Sequence, residues 1–149
     1  MKRSVLFICL LAAIFFSFNK ANADGLIYFN AGSQEQISTE KLPEVLDILD
    51  KIIAGTDDLY ELIVTSNHIR QMKEQRQGIE VLLSQTKHIQ LKKSVYEADR
   101  FLLLFCKDAG CEQRGVTFYF GKNGDYLTPP YINSTGGIYI DQIKKIIGK

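Results

Sequence analysis

Cys106 and Cys111 stand in the stretch "FCKDAGCEQ", separated by four residues, and the chain's third cysteine, Cys9, lies near its start. Three chemistries suit such a pair: a redox couple, half of a metal site, or a structural disulfide. A redox couple needs a thiolate of lowered pKa, held at a helix N-terminus or beside a cation. Lys107 and Arg114 are near, but Asp108 and Glu112 offset them, and no helix is expected after Cys111. A metal site would need the only two histidines, His68 and His88, whose separation matches none of the short ligand pairings of zinc sites. For the disulfide, Asp108 and Gly110 favour a chain reversal between the two thiols. The bond would close a six-residue ring worth about 2 kcal/mol in the chain-entropy picture.

Other catalytic constellations are missing. No serine stands in a G-x-S-x-G elbow, so neither histidine has a nucleophile in a known setting. The carboxylates come as Asp57-Asp58, Glu35 with Glu40, and scattered singles. No glycine loop suits a phosphate, and "GKNGD" reads as a hairpin turn and not an ion-binding loop. No catalytic residue, metal ligand or cofactor is assigned.

What must position these residues begins with the leader. "MKRSVLFICLLAAIFFSFNKANADG" has Lys2 and Arg3, an apolar run from 5 to 18 broken only by Ser17, and the small-x-small triplet Ala21-Asn22-Ala23. This is the pattern of a secretory signal peptide cut before Asp24. The apolar run is shorter than the ~20 residues that span a bilayer as a helix. Export to the periplasm or the outside is therefore expected, with residues 24–149 as one globular domain, and an oxidising compartment makes a Cys106–Cys111 disulfide the default. Losing Lys2, Arg3 and Lys20 takes the basic count from 18 to 15 against 17 acidic residues. With no polybasic stretch left, nucleic acid and anionic membrane are disfavoured as partners.

Along the exported part, "LIYFN" reads as a short strand. Leu42, Val45, Leu46, Leu49, Ile52 and Ile53 recur at helical spacing, with Ser38 or Thr39 as the cap, Pro43 in the first turn and Gly55 as the stop. "LYELIVTS", 59–66, is β-branched and apolar and predicts a buried strand. Ile69, Met72, Ile79, Leu82 and Leu83 fit a helix over 68–85, with a hairpin turning at Gln75–Gly78 as the alternative that Gly78 leaves open. "KHIQLKKSVY" alternates as a strand with Ile89, Leu91, Lys93 and Val95 on one face, and "RFLLLFC" reads as a strand buried on both. "GVTFYFGKNGDYL" predicts a hairpin turning at Asn123-Gly124. Ile138, Ile140, Ile143, Ile146 and Ile147 mark a closing amphipathic helix stopped by Gly148.

The fold class expected is α/β, with α+β as the alternative: a mixed, mostly antiparallel sheet with two or three helices. "RGVTFYFGKNGDYL" followed by the terminal helix resembles the last third of a thioredoxin-like domain, and "LIYFN", helix, "LYELIVTS" follows that fold's order more loosely. The resemblance implies a thioredoxin-like order with an extra hairpin. It does not imply the activity, because "NAGSQEQ" lacks the family's C-x-x-C after the first strand, and no proline stands before the hairpin at 115–117.

Tyrosines and prolines supply the remaining candidate site. Tyr119, Tyr126, Pro129, Pro130, Tyr131 and Tyr139 cluster in sequence and suit a protein-binding surface, while Tyr residues also commonly fringe a core. Asn133-Ser134-Thr135 is a glycosylation sequon. The reading that follows is a small exported protein that binds another protein: an inhibitor, a toxin-neutralising partner or an envelope assembly factor. The alternative is a thiol–disulfide protein using Cys106 and Cys111.

Overall fold

A computed structural model of the chain describes residues 23–105, 115–126 and 129–149. The leader, Cys106 and Cys111 lie outside the described residues. No helix among the described residues is long and apolar enough to cross a membrane.

One antiparallel sheet organises everything else. Its strands are β1 (Gly25–Asn30), β2 (Ser33–Ile37), β3 (Asp58–Leu59), β4 (Gln77–Leu91), β5 (Ser94–Phe105), β6 (Val116–Lys122), β7 (Asp125–Tyr126) and β8 (Tyr131–Asn133). They run in the order β2-β1-β4-β5-β6-β8-β3, with β7 paired to β6. Among the described residues three α-helices accompany them: α1 (Leu42–Ala54), α2 (Ser66–Gln75) and α3 (Gly137–Ile147). The mixed α/β class with a mostly antiparallel sheet and three helices is thus what the chain adopts.

The two faces of the sheet are covered separately. Because side chains alternate along a strand, Leu26, Ile79, Phe101, Leu103, Phe118 and Phe120 share one face, and α1 and α3 bury it with Val45, Leu49, Ile52, Ile140, Ile143 and Ile147. The opposite face presents Phe29, Leu102 and Tyr119, and Ile69 of α2 packs on them. Residues 101–105 thus meet apolar layers on both sides, which is why their sequence lacks alternation.

Local chemistry sets the helix boundaries. Ser38 Oγ accepts from Glu40 N at 3.3 Å and starts a 3₁₀ turn, Thr39–Lys41, that feeds α1 with Pro43 in its first turn. Thr65 Oγ1 accepts from His68 N at 3.1 Å and caps α2. At its other end α2 is pinned to the β1–β2 turn: Ala31 and Gly32 donate their N–H groups to the Arg76 and Lys73 carbonyls at 3.0 and 3.1 Å. Gly148 closes α3 in the left-handed region with φ 77°.

Several expectations are corrected here. Segment 59–66 is not a buried strand: only Asp58–Leu59 pairs, at the sheet edge beside β8, and Leu59, Tyr60, Leu62 and Ile63 are exposed. A βαβ pairing of this segment beside β1, as the thioredoxin-like order would have it, does not form; β3 lies at the opposite edge of the sheet. Residues 68–85 are neither all helix nor a simple hairpin. The helix stops at Gln75 and β4 begins at Gln77. Gly78 marks the change, because a Cβ there would fall 2.0 Å from the Leu103 carbonyl oxygen and 2.5 Å from the Phe29 ring. "KHIQLKKSVY" is itself a hairpin, with Leu91 opposite Ser94 and Lys92 at φ 51° in the turn. Ile89 and Leu91 are buried, whereas Val95, past the turn, is exposed. Ile138 is exposed at the start of α3.

Candidate functional site

Segment 57–65 carries the most unusual surface of the described chain. Its start is clamped. Asp57 donates its N–H to the Ile132 carbonyl at 3.0 Å, and its carboxylate accepts from the Ser134 hydroxyl and from Ser134 N at 3.1 Å. Those two donors hold the Asp57 carboxyl below its ordinary 3.8. Asp58–Leu59 then pairs with β8, and Tyr60 N donates to the Pro130 carbonyl at 2.9 Å. Its end is clamped as well, by Val64 packing toward Ile69 and by the Thr65 cap of α2.

Between the clamps the chain holds apolar side chains in water. Tyr60 is 50% and Ile63 86% exposed, with Leu59 and Leu62 also open. Burying side chains of this size would stabilise by about 1.5–3 kcal/mol each, so leaving Leu59, Tyr60, Leu62 and Ile63 outside within five residues is an exposed apolar stretch that calls for a reason. The backbone here is not an open strand edge. Leu59 N–H is taken by the Asp58 carboxylate at 2.8 Å, and Leu62 N–H by the Tyr60 carbonyl at 2.9 Å. Side chains, and not a row of free N–H groups, are what the segment offers.

Beyond Val64 the surface drops into a cleft of about 540 Å³. Thr65, Ser66 and Lys73 form one wall, the Gly124–Tyr126 side of the β6–β7 hairpin the other, with Glu80 and Arg100 between. Buried Glu80 accepts from Tyr126 Oη at 2.7 Å and from Lys73 Nζ. Burial, and then the Glu80 carboxylate, push the Tyr126 hydroxyl well above 10.0 despite Arg100, so it remains a donor. Arg100 donates to Asp99 at 3.2 Å and to the Gly124 carbonyl at 2.9 Å, and Asp99 accepts from Asn123 N at 2.9 Å. Lys73 and Arg100 are thus matched internally by carboxylates. The network braces the hairpin and α2, and exposed Asp125 lines the cleft beside it.

No family model, no curated protein and no solved structure matches this chain. Its function is therefore read from its own geometry.

The residues singled out in the sequence are dispersed. Tyr119 and Tyr131 are buried on opposite faces of the sheet. Tyr131 stacks on Phe118 and Phe120, with centroids at 5.7 and 5.4 Å. Burial and the bond it donates to Tyr96 push its hydroxyl up. Tyr126 belongs to the cleft, Tyr139 is half-buried against the α1/α3 core, Pro130 is buried and Pro129 half-buried. These six do not share one exposed surface.

The histidines take up separate environments. His68 Nε2 lies 3.3 Å from Tyr119 Oη, and His88 Nδ1 lies 4.0 Å from Glu97 on β5. No group of three or more potential metal ligands occurs among the described residues. The sequon asparagine is not available: Asn133 is 1% exposed and its amide donates to the Ile52 carbonyl. Sequence reasoning missed Leu59, Tyr60, Leu62 and Ile63 as surface residues. The signal was Glu61, a carboxylate in the middle of a run expected to be a buried strand.

Proposed function

We propose that the chain is an exported protein, periplasmic or secreted once the leader is cut before Asp24, that acts without catalysis by binding another protein through segment 59–63. The observation carrying this reading is the exposure of Leu59, Tyr60, Leu62 and Ile63 on a stretch clamped at both ends. A clamped apolar segment loses little conformational freedom on binding, which favours affinity. Tyr60 flanked by aliphatic side chains is the composition of an interface centre. An inhibitor, a toxin-neutralising partner and an envelope assembly factor all act this way.

The test places a photo-reactive side chain at position 63 and, as a control, at exposed Gln36 on the opposite sheet edge. One protein of the cell envelope should cross-link from 63 and not from 36, and Ile63→Asp should abolish its co-purification. Equal labelling from both positions, or none from 63, overturns the proposal.

A further inference from the structure

We infer that, before its partner arrives, segment 59–63 is covered by a second copy of this chain, with the acidic apolar segment of each copy set against the basic β4–β5 turn of the other. The inference rests on the reading of 59–63 as an interaction surface and adds what occupies it at rest.

Charge is the first ground. No lysine or arginine stands between Lys51 and Arg70, and Asp58 and Glu61 sit among the exposed apolar residues. The β4–β5 turn carries the opposite sign, since Lys92 and Lys93 are both exposed. Lys73, Lys87 and Lys122 each bond a carboxylate, whereas Lys93 and Lys92 form no close ion pair among the described residues, Lys92 acting only at longer range on Asp57.

Position is the second ground. The two features flank one hollow of about 120 Å³, with Asp58 and Leu59 on one side, Leu91, Lys92 and Tyr96 on the other, and Tyr131 between. Asp58 and Lys92 face across it without forming an ion pair. The patch therefore holds an acidic half and a basic half, with Leu59, Leu91 and the Tyr96 and Tyr131 rings in the hollow between them. A two-fold axis brings each half against its opposite, because in such a contact residue i meets j and j meets i. Like-signed patches would repel across that axis. The formal charge of the exported chain, 15 basic against 17 acidic residues or −2, adds little repulsion between copies.

Sedimentation velocity on the purified exported chain tests this over a range of concentrations, at low and high salt. The expected result is a monomer–dimer equilibrium that shifts toward monomer as salt screens the rim charges. Ile63→Asp should sediment as a monomer throughout. Lys92→Glu with Lys93→Glu should weaken pairing about tenfold, as should Asp58→Lys with Glu61→Lys, and combining all four should restore it. Circular dichroism checks that each variant remains folded. A wild type that stays monomeric at every concentration overturns the inference, and so does a dimer indifferent to Ile63→Asp and to the charge reversals. A monomer that still loses its envelope partner on Ile63→Asp sinks self-pairing alone. A dimer lost on Ile63→Asp, with no protein cross-linked from position 63 other than the chain itself, sinks the proposed function alone.

Discussion

Asn133 holds the end of α1 to the sheet: its Nδ2 donates to the Ile52 carbonyl at 3.0 Å from a side chain that is 1% exposed. Its Oδ1 accepts from Thr135 N and Oγ1 at 3.1 and 3.2 Å, which also fixes the approach to α3. Asn133→Ala leaves these buried groups unpaired and should cost about 1–3 kcal/mol. Asn133→Asp should cost more, because it sets a carboxylate against a carbonyl oxygen. Urea unfolding should show a lower midpoint with an unchanged slope. A glycan on Asn133 would occupy the same nitrogen, so any glycosylated chain should run as unfolded protein on native gels.

Asp57 and Ser134 close the same region from the edge. The Ser134 hydroxyl and amide depress the Asp57 carboxyl below 3.8. A carboxyl whose folded pKa is lowered contributes stability above its unfolded value, and loses it as pH falls through the folded one. At neutral pH Asp57→Asn should therefore melt below wild type. The gap should begin to close near pH 3.8 and vanish below the folded value, as thermal melts across that range would show.

The elements legible in the sequence are those whose pattern is fixed by their own partners. α1 buries Leu42, Val45, Leu49, Ile52 and Ile53 at the spacing its sequence displays. The β6–β7 turn needs positive φ at Asn123 and Gly124, and has 56° and 101°. β2 was not legible, because Ser33 to Gln36 lie on an exposed edge and read as loop. Segment 59–66 misled for the reverse reason: β-branched residues fit a strand, but β8 offers only three residues to pair with. Tyrosine position in the chain likewise says nothing of sheet face, and Tyr119 and Tyr131 came to lie on opposite ones.

Glu80, Lys73 and Tyr126 form the brace between α2 and the β6–β7 hairpin. Glu80→Ala strands the Lys73 ammonium, whose side chain is only 19% exposed, and should cost about 3–5 kcal/mol. Tyr126→Phe loses a donor to a carboxylate, about 1.5–3 kcal/mol. The two losses should not add, since both act on one carboxylate. A double-mutant cycle should return a coupling of about 0.5–3 kcal/mol. Amide exchange in α2 should quicken in Glu80→Ala before exchange in β4 and β5, because the brace holds the helix and not the sheet. Additive losses, or uniform quickening, would show that the three residues do not act together.

Ile63 and Phe118 separate surface from core. Phe118 is fully buried between the sheet and the α1/α3 layer, and Phe118→Ala should cost about 3–5 kcal/mol. Ile63, 86% exposed, touches too little for a comparable loss, and Ile63→Ser should stay within about 0.5 kcal/mol of wild type. The comparison must be made in dilute protein, where a self-associated state adds nothing to the apparent stability by mass action. At high concentration Ile63→Ser should fall behind wild type, because only the wild type gains from covering the segment. Equal behaviour at both concentrations would mean that nothing in solution covers Ile63. A large loss already in dilute protein would mean that Ile63 is packed within its own chain, and the surface on which both proposals rest would be gone.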